Sequence, residues 1–478
     1  MSAPLIWIII PGLVVILLLL LRSRERLVIG IGIGFSLALA FIAWLDPIGE
    51  AIHLGPITLT ISDSLTVLGR RFVLESKEAP VLVLIYLGVA FWFGGVKISR
   101  AGSLFVPVGL MIASLATAAL AVEPFLYAAL LIEMAAIVAI TIFSIPGKPI
   151  NRGSLRFLII QTLSMPFILL TGWLLTGVEA SPGDSAITVQ AAFSMALGFA
   201  LLLWIFPFHT WMPMTVELAN QYVVAFVFFM LPLIITLFGL GFLDRFAWLR
   251  TQPGVYTALQ MSGLLMVLAG GIGAAYQKHL GRMLAFGMMV EIGITLLTIG
   301  IPGAEPGTYP LIGVFFASLL PRGLGLGVWA LALVVISRTD PRAESYAQSL
   351  ELNHLRGCGL QLPIASSALI LAQLSIAGFP LLAGFPVRLP VWQGLADHSI
   401  VLTVSALLGS VGLLIASLRT LVVFVGESDD RQWASQESWS QRILLLVGVI
   451  GLFVIGIFPQ IILPQLASMA SVFVNLSP

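Results

Sequence analysis

Apolar runs of roughly eighteen residues or more recur from one end of this chain to the other, and that feature decides what it can fold into. About twenty residues at a rise of roughly 1.5 Å span the hydrocarbon core of a bilayer. A helix also satisfies its own backbone hydrogen bonds where lipid offers no partner. Of 478 residues, 59% are hydrophobic and 9% are charged, against about 25% charged in a soluble domain. The charged skin of a water-soluble fold is missing. Cut at charge clusters and Pro/Gly breaks, the runs are 4–21, 28–46, 68–96, 103–121, 124–144, 155–176, 187–207, 222–243, 255–275, 282–301, 308–336, 363–377, 398–424 and 443–463. They predict an all-α, polytopic membrane protein with about fourteen transmembrane helices. The first run has no basic segment before it and no small-residue cleavage site after it, so it reads as a retained helix.

The basic residues set the topology that these spans predict. With the N-terminus outside, the inside connections hold Arg22, Arg24, Arg26, Lys97, Arg100, Lys148, Arg152, Arg156, Lys278, Arg282, Arg338, Arg342, Arg356, Arg419, Arg431 and Arg442, sixteen in all. The outside connections hold five: Arg70, Arg71, Lys77, Arg245 and Arg250. That bias places both termini on the outer, positive side. No linker or composition shift divides the chain, so 1–478 reads as a single transmembrane domain. Two short stretches, 209–219 and 380–394, follow proline-containing breaks near 207 and 380 and read as second halves of interrupted helices. Paired interruptions mark inverted-repeat transporters with a coupling site near the midplane, but membrane helices are also simply richer in proline.

Several function classes drop out. A lone Cys358 excludes an internal disulfide and a cysteine-based metal or iron–sulfur site, and the five His residues lack metal-ligand spacing. No glycine-rich phosphate loop follows a strand, and no basic face suits nucleic acid. No cofactor or metal is expected in this chain itself.

Ionisable groups within the spans are functional candidates, because a charge at the bilayer centre costs about 2.5–3.5 kcal/mol on insertion scales. Glu133 sits centrally in YAALLIEMAAIVAI, far from either end, and suits a proton path or ion pair; the alternative is a neutral, hydrogen-bonded packing role. Glu291, in LAFGMMVEIGITLL, has the same two readings. Arg322, in ASLLPRGLGLG, and Arg388, in AGFPVRLP, cannot be deprotonated in practice and suit structural pairing better than relay. His209 lies directly after the first break, in FPFHTWMP. It titrates near neutrality and can pass protons there, or it can brace the break through hydrogen bonds.

FPFHTWMP resembles the FPFHTWLP motif of the antiporter-like family, which includes membrane subunits of respiratory complex I, Mrp sodium/proton antiporters and membrane-bound hydrogenases. Other segments agree in order and spacing. LTISDSLTVL around Asp63 resembles the stretch before the family's third helix, and LLIEMAAI around Glu133 its fifth-helix segment. NRGSLRFLIIQTLS resembles the start of the sixth helix, YQKHLGRMLAFGMMVEIG the tenth, and LSIAGFPLLAGFPVRL the twelfth. The match runs from about residue 58 to 395.

The resemblance implies two inverted five-helix repeats, at about 103–243 and 255–424, each enclosing half of a proton channel. Glu133 would be the fifth-helix acid that pairs with a seventh-helix lysine. At that lysine's place this chain has Leu202, and at the family's eighth-helix lysine it has Leu233. The eleventh-helix lysine site is Arg322, and the twelfth-helix Lys or Glu is Arg388. Glu291 falls where His or Gln is common. The chain has four lysines, Lys77, Lys97, Lys148 and Lys278, all near membrane boundaries. A central lysine relay is therefore absent.

The family implies a non-redox subunit of a proton-translocating NADH (or ferredoxin):quinone oxidoreductase, with no catalytic centre of its own. It would contribute an altered proton path through Glu133, His209, Glu291 and water, or a scaffold. NADH, flavin, iron–sulfur clusters and quinone would belong to partner subunits, and other membrane subunits and lipid would surround it. The alternatives are an Mrp-type cation/proton antiporter, or a membrane subunit coupled to a hydrogenase or inorganic-carbon uptake module. The expected location is a prokaryotic cell membrane or an energy-transducing organelle or thylakoid membrane.

Overall fold

The structure, a computed structural model, describes all residues except 1, 46–47, 50, 55–56, 144–150, 181–184, 302–310, 339–347, 427–434 and 477–478. Lys148, Arg342 and Arg431, used in the charge count, lie outside the described residues. The principal helices are α1 (Ile10–Leu20), which continues a π-helical turn at Leu5–Ile9, α2 (Glu25–Trp44), α3 (Ala79–Gly94), α4 (Phe105–Ala121), α5 (Ala128–Phe143), α6 (Arg152–Ala180), α7 (Ser185–Leu202) and α8 (Trp211–Leu218). They are followed by α9 (Gln221–Arg245), α10 (Pro253–Tyr276), α11 (Leu280–Gly300), α12 (Leu311–Ile336), α13 (Pro363–Ala377), α14 (Phe385–His398), α15 (Ile400–Val425) and α16 (Trp439–Ile457). Among the described residues, ten helical stretches are long and apolar enough to cross a membrane. Four shorter apolar ones, at Leu5–Leu20, Phe105–Ala121, Ala186–Leu202 and Pro363–Ala377, fall on the remaining expected spans.

One expected span is wrong at its start. The run 68–96 is helical only from Ser76, and its first part is a β-hairpin. Strands β3 (Ser64–Val67) and β4 (Arg70–Val73) pair antiparallel, after β1 (Ala51–Leu54) and β2 (Ile57–Thr60), which pair with each other. β4 also pairs with the short β5 (Val122–Glu123). Leu68 and Gly69, at φ +49° and +74°, make the hairpin turn. The helix begins where Glu75 and Glu78 form a reciprocal capping box.

The breaks are where the prolines put them. α7 ends at Leu202, and the chain turns through Trp204 at φ +58° and the cis Phe206–Pro207 bond before α8 starts. α13 ends at Gly378, at φ +82°, whose N–H and that of Phe379 close back on Ser375 and Leu374 carbonyls. α14 then starts at Phe385. The same interval separates Pro207 from Pro213 and Pro380 from Pro386, each first proline following a phenylalanine. Thr215 and Arg388 therefore stand at the same place beyond the two breaks.

α9, α11 and α12 form the interior, with nearly every side chain buried, and α10, α15 and α16 present apolar faces outward. Hydrogen bonds assign the loops to two ends. At one end, Arg338 donates to the carbonyls of Ile98 and Ser99, Asn220 donates to Ser99, and Leu352 donates to Lys278. At the other, Ala3 donates to Ser62, Asn475 to Asp244, Arg71 faces Glu123, and Arg245 lies over Phe125. Ala3 and Asn475 thus share the end that carries Arg70, Arg71 and Arg245.

Close packing of α10 on α15 requires glycine. A Cβ on Gly271 would stand 2.5 Å from the Cα of Gly409 and 2.4 Å from its carbonyl oxygen, both rigid backbone. Small residues let membrane helices approach at this distance, where dispersion rather than water exclusion holds them together. Gly271→Ala is expected to destabilise the fold by about 1–3 kcal/mol, read as a lowered Tm in detergent. Gly12→Ala, with nothing within 4 Å of its Cβ, should leave Tm unchanged.

Candidate functional site

The structure gathers three of the five candidate residues into one cluster and leaves two apart. Glu291, in the middle of α11, is held between two arginines. Its Oε2 accepts from Arg322 Nε at 2.8 Å and its Oε1 from Arg388 Nη2 at 2.6 Å. Arg322 comes from α12, directly after Pro321, and Arg388 from α14, beyond the second break. All three are buried, at 6%, 4% and 2% exposure respectively, so bulk water cannot satisfy them.

The remaining bonds come from the helices themselves. Arg322 Nη2 donates to the Glu291 carbonyl at 3.3 Å and to Thr295 Oγ1. Thr295 stands one turn beyond Glu291, and its hydroxyl donates to the Glu291 carbonyl at 2.9 Å. Arg388 Nη2 also donates to the carbonyl of Ile376, in the last turn of α13. A helix C-terminus leaves its final carbonyls unpaired and carries partial negative charge, so it attracts a cation. The break thus creates the acceptor that Arg388 uses. Arg388 Nη1 has no protein partner among the described residues.

Two guanidiniums around one carboxylate give the cluster a net charge of +1. A small cavity of about 20 Å³ adjoins it, lined by Glu291, Arg322, Arg388, Thr298, Ser318 and Ser375 among others. On its other side, Arg322 meets Leu203, Pro232 and Thr236 across a crevice with no room for a water molecule. A larger cavity, about 810 Å³ between α7, α9 and α10, is apolar and touches none of the charged candidates.

Glu133 belongs to a different environment. Its Oε1 accepts from Thr162 Oγ1 of α6 at 2.6 Å, and its Oε2 is buried without a protein partner. No described cation reaches it. His209 lies in the first break, half-buried, its ring stacked on Phe206 at 5.3 Å and its Nδ1 buried without a protein partner. Leu202 and Leu233 are fully packed in the apolar core, at 0% and 1% exposure. Beside Leu202, the rings of Trp204, Trp211, Phe157 and Phe228 form a contiguous aromatic block.

Thr162 and Thr295 had not been singled out. Thr295 was within reach, since one helical turn from a buried glutamate is where a supporting hydroxyl can sit. Thr162 is on another helix and left no signal in the sequence.

Helices packed through small residues, with two breaks in the helical run and buried charge beside the second, define a polytopic membrane protein of the antiporter-like kind. Residues 175–416 match the family described as NADH:quinone oxidoreductase/Mrp antiporter, TM, and the chain belongs to it. It is 26% identical to NADH-quinone oxidoreductase subunit N of Deinococcus radiodurans over 289 residues, covering 59% of this chain and 55% of that protein. The match therefore spans little more than half of that relative's length. A subunit of respiratory complex I from Thermus thermophilus has the same fold, with a TM-score of 0.74 and 20% identity over 99% of this chain and 98% of that one. So does a chain of an archaeal membrane-bound sulfane sulfur reductase, at TM-score 0.79 and 17% identity, covering 100% and 98%.

Removing the carboxylate should be severe. Glu291→Gln leaves two buried guanidiniums facing one another, and breaking a buried ion pair typically costs about 3–5 kcal/mol. A sharply lowered Tm, with Glu133→Gln losing far less, is the expected outcome of thermal unfolding in detergent.

Proposed function

We propose that this chain is a non-redox membrane subunit of a complex-I-like, proton-translocating NADH (or ferredoxin):quinone oxidoreductase. In this reading its two halves, at about 103–243 and 255–424, are inverted repeats that have diverged in duty. The second half is a rigid, charge-locked strut that carries no protons. The first half keeps an altered path through Glu133, His209 and bound water. The observation that carries the reading is Glu291 with both carboxylate oxygens held by arginines. Arginine stays protonated, so neither partner can release the carboxylate by losing its proton. Glu133, by contrast, has one oxygen without a protein partner, as has His209 Nδ1, and buried polar atoms of that kind are the ones that hold ordered water.

The redox chemistry is assigned to partners. NADH, flavin, iron–sulfur clusters and quinone would sit in other subunits. Orientation follows the charge count: both termini, with Arg70, Arg71, Lys77, Arg245 and Arg250, face the outer, positive side. The membrane is an energy-transducing one.

An Mrp-type antiporter is the weaker alternative, because the lysine relay that the resemblance implies is missing, with Leu202, Leu233 and Arg322 at its places. Coupling to a different soluble module is favoured only by the likeness of fold to the sulfane sulfur reductase chain. Gentle-detergent purification separates these readings: a copurifying flavin and iron–sulfur arm is expected, and a monodisperse monomer without partners would sink the subunit assignment. In membrane vesicles, Glu133→Gln should slow proton pumping several-fold at an unchanged level of assembly. If pumping is undiminished, the whole chain is a scaffold.

A further inference from the structure

The charge balance of the cluster points to a ligand that the family relationship does not supply. Arg322, Glu291 and Arg388 sum to +1 in a place where bulk water cannot reach, and no other described carboxylate bonds to either arginine. An uncompensated charge in a low-dielectric interior carries an effective penalty of several kcal/mol after relaxation. A neutral water would solvate that charge without balancing it.

The donors are in place. Arg388 is 2% exposed, and its Nη1 is buried with no protein partner. Arg388 lines the cavity of about 20 Å³, which clears the ~10–15 Å³ that a cavity needs to admit one water-sized species. Ser375, on the same wall, accepts the N–H of Gly384 at 3.2 Å, so its hydroxyl proton is free to donate into the cavity. Thr298 and Ser318, also on the wall, turn their protons to their own helix carbonyls, Ile294 and Phe315, at 2.7 Å each. We infer that the cavity beside Arg388 is a binding site for one small monovalent anion of halide size, held by Arg388 Nη1 and the Ser375 hydroxyl. Carboxylates and phosphates are too large for it. The bound anion brings the cluster to neutrality, which is why two arginines can share one glutamate at this depth. The inference does not depend on what the chain's partners are.

The test uses the full chain in its native assembly, with bromide as the probe. Thermal unfolding is followed as sodium bromide replaces sodium gluconate at constant ionic strength. A saturable rise in Tm is expected, and Arg388→Met, which leaves a neutral Glu291–Arg322 pair, should abolish it. No saturable rise in the wild type means a water molecule only and overturns the inference. A rise that persists in Arg388→Met places the site elsewhere and overturns it too. Should that variant fail to fold, bromide anomalous density in crystals of the wild type decides. A peak beside Arg388 Nη1 and Ser375 upholds the site, and its absence refutes it.

Discussion

An interrupted helix in a membrane leaves carbonyls that lipid cannot satisfy, and the second half of this protein is organised around that debt. α13 stops at Gly378, and its last turn exposes the Ile376 carbonyl toward Arg388 on the far side of the break. Arg388 could not stay buried on that carbonyl alone, and Glu291 supplies the negative charge from α11. Arg322 then shares the same carboxylate from α12 and is steadied by Thr295. Three helices are thereby tied through one carboxylate, and Arg388 joins α13 to them through the Ile376 carbonyl. A buried ion cluster of this kind need not add net stability over an apolar core, but it fixes geometry strongly, because no member can leave without stranding the others.

The residues around the first break offer a comparison with those around the second. Glu133 stands in mid-helix as Glu291 does, and Thr162 of the following helix bonds it where Arg322 bonds Glu291. Thr215 occupies the place beyond the first break that Arg388 occupies beyond the second. One half thus has an acid supported by hydroxyls, and the other an acid clamped by fixed cations. Thr215 gives its proton to the Trp211 carbonyl and does not reach for charge. The terminal turn of α7 closes on itself, with Ile205 donating to Ala200 and Leu203 to Phe199, so no cation is needed there. Leucine at 202 and 233 completes the contrast, since both sites are dry and tightly packed.

Much of this was legible in the residues. The spans followed from apolar runs, and the breaks from Pro207 and Pro380. Arginine's permanent charge already argued that Arg322 and Arg388 would be paired rather than act as relays. Their common partner was not legible, because Glu291 is 31 residues from one and 97 from the other, and only tertiary packing brings them together. The hairpin at Ser64–Val73 was read in part as helix for a local reason. Strands whose residues are only partly buried, such as Leu65, Phe72 and Val73, are rich in the same apolar residues as a span, and over a short run the two periods cannot be separated. Arg70 and Arg71 were the signal against a membrane helix there, and their pairing with Glu123 and Tyr127 places them at its boundary.

The magnitude of proton release settles what arginine does in this position. A guanidinium holds its proton so far above neutrality that removing it at pH 7 requires roughly 7–9 kcal/mol at ~1.36 kcal/mol per unit. A lysine starts lower, near 10.4, and burial can bring it down by a further ~3–5 units, to the point where loading and release are nearly balanced. Replacing lysine by arginine therefore does not slow a relay by a modest factor; it removes the protonation step on which a relay runs. Glu291 has both carboxylate oxygens held by arginines, whereas Glu133 keeps one oxygen without a protein partner among the described residues.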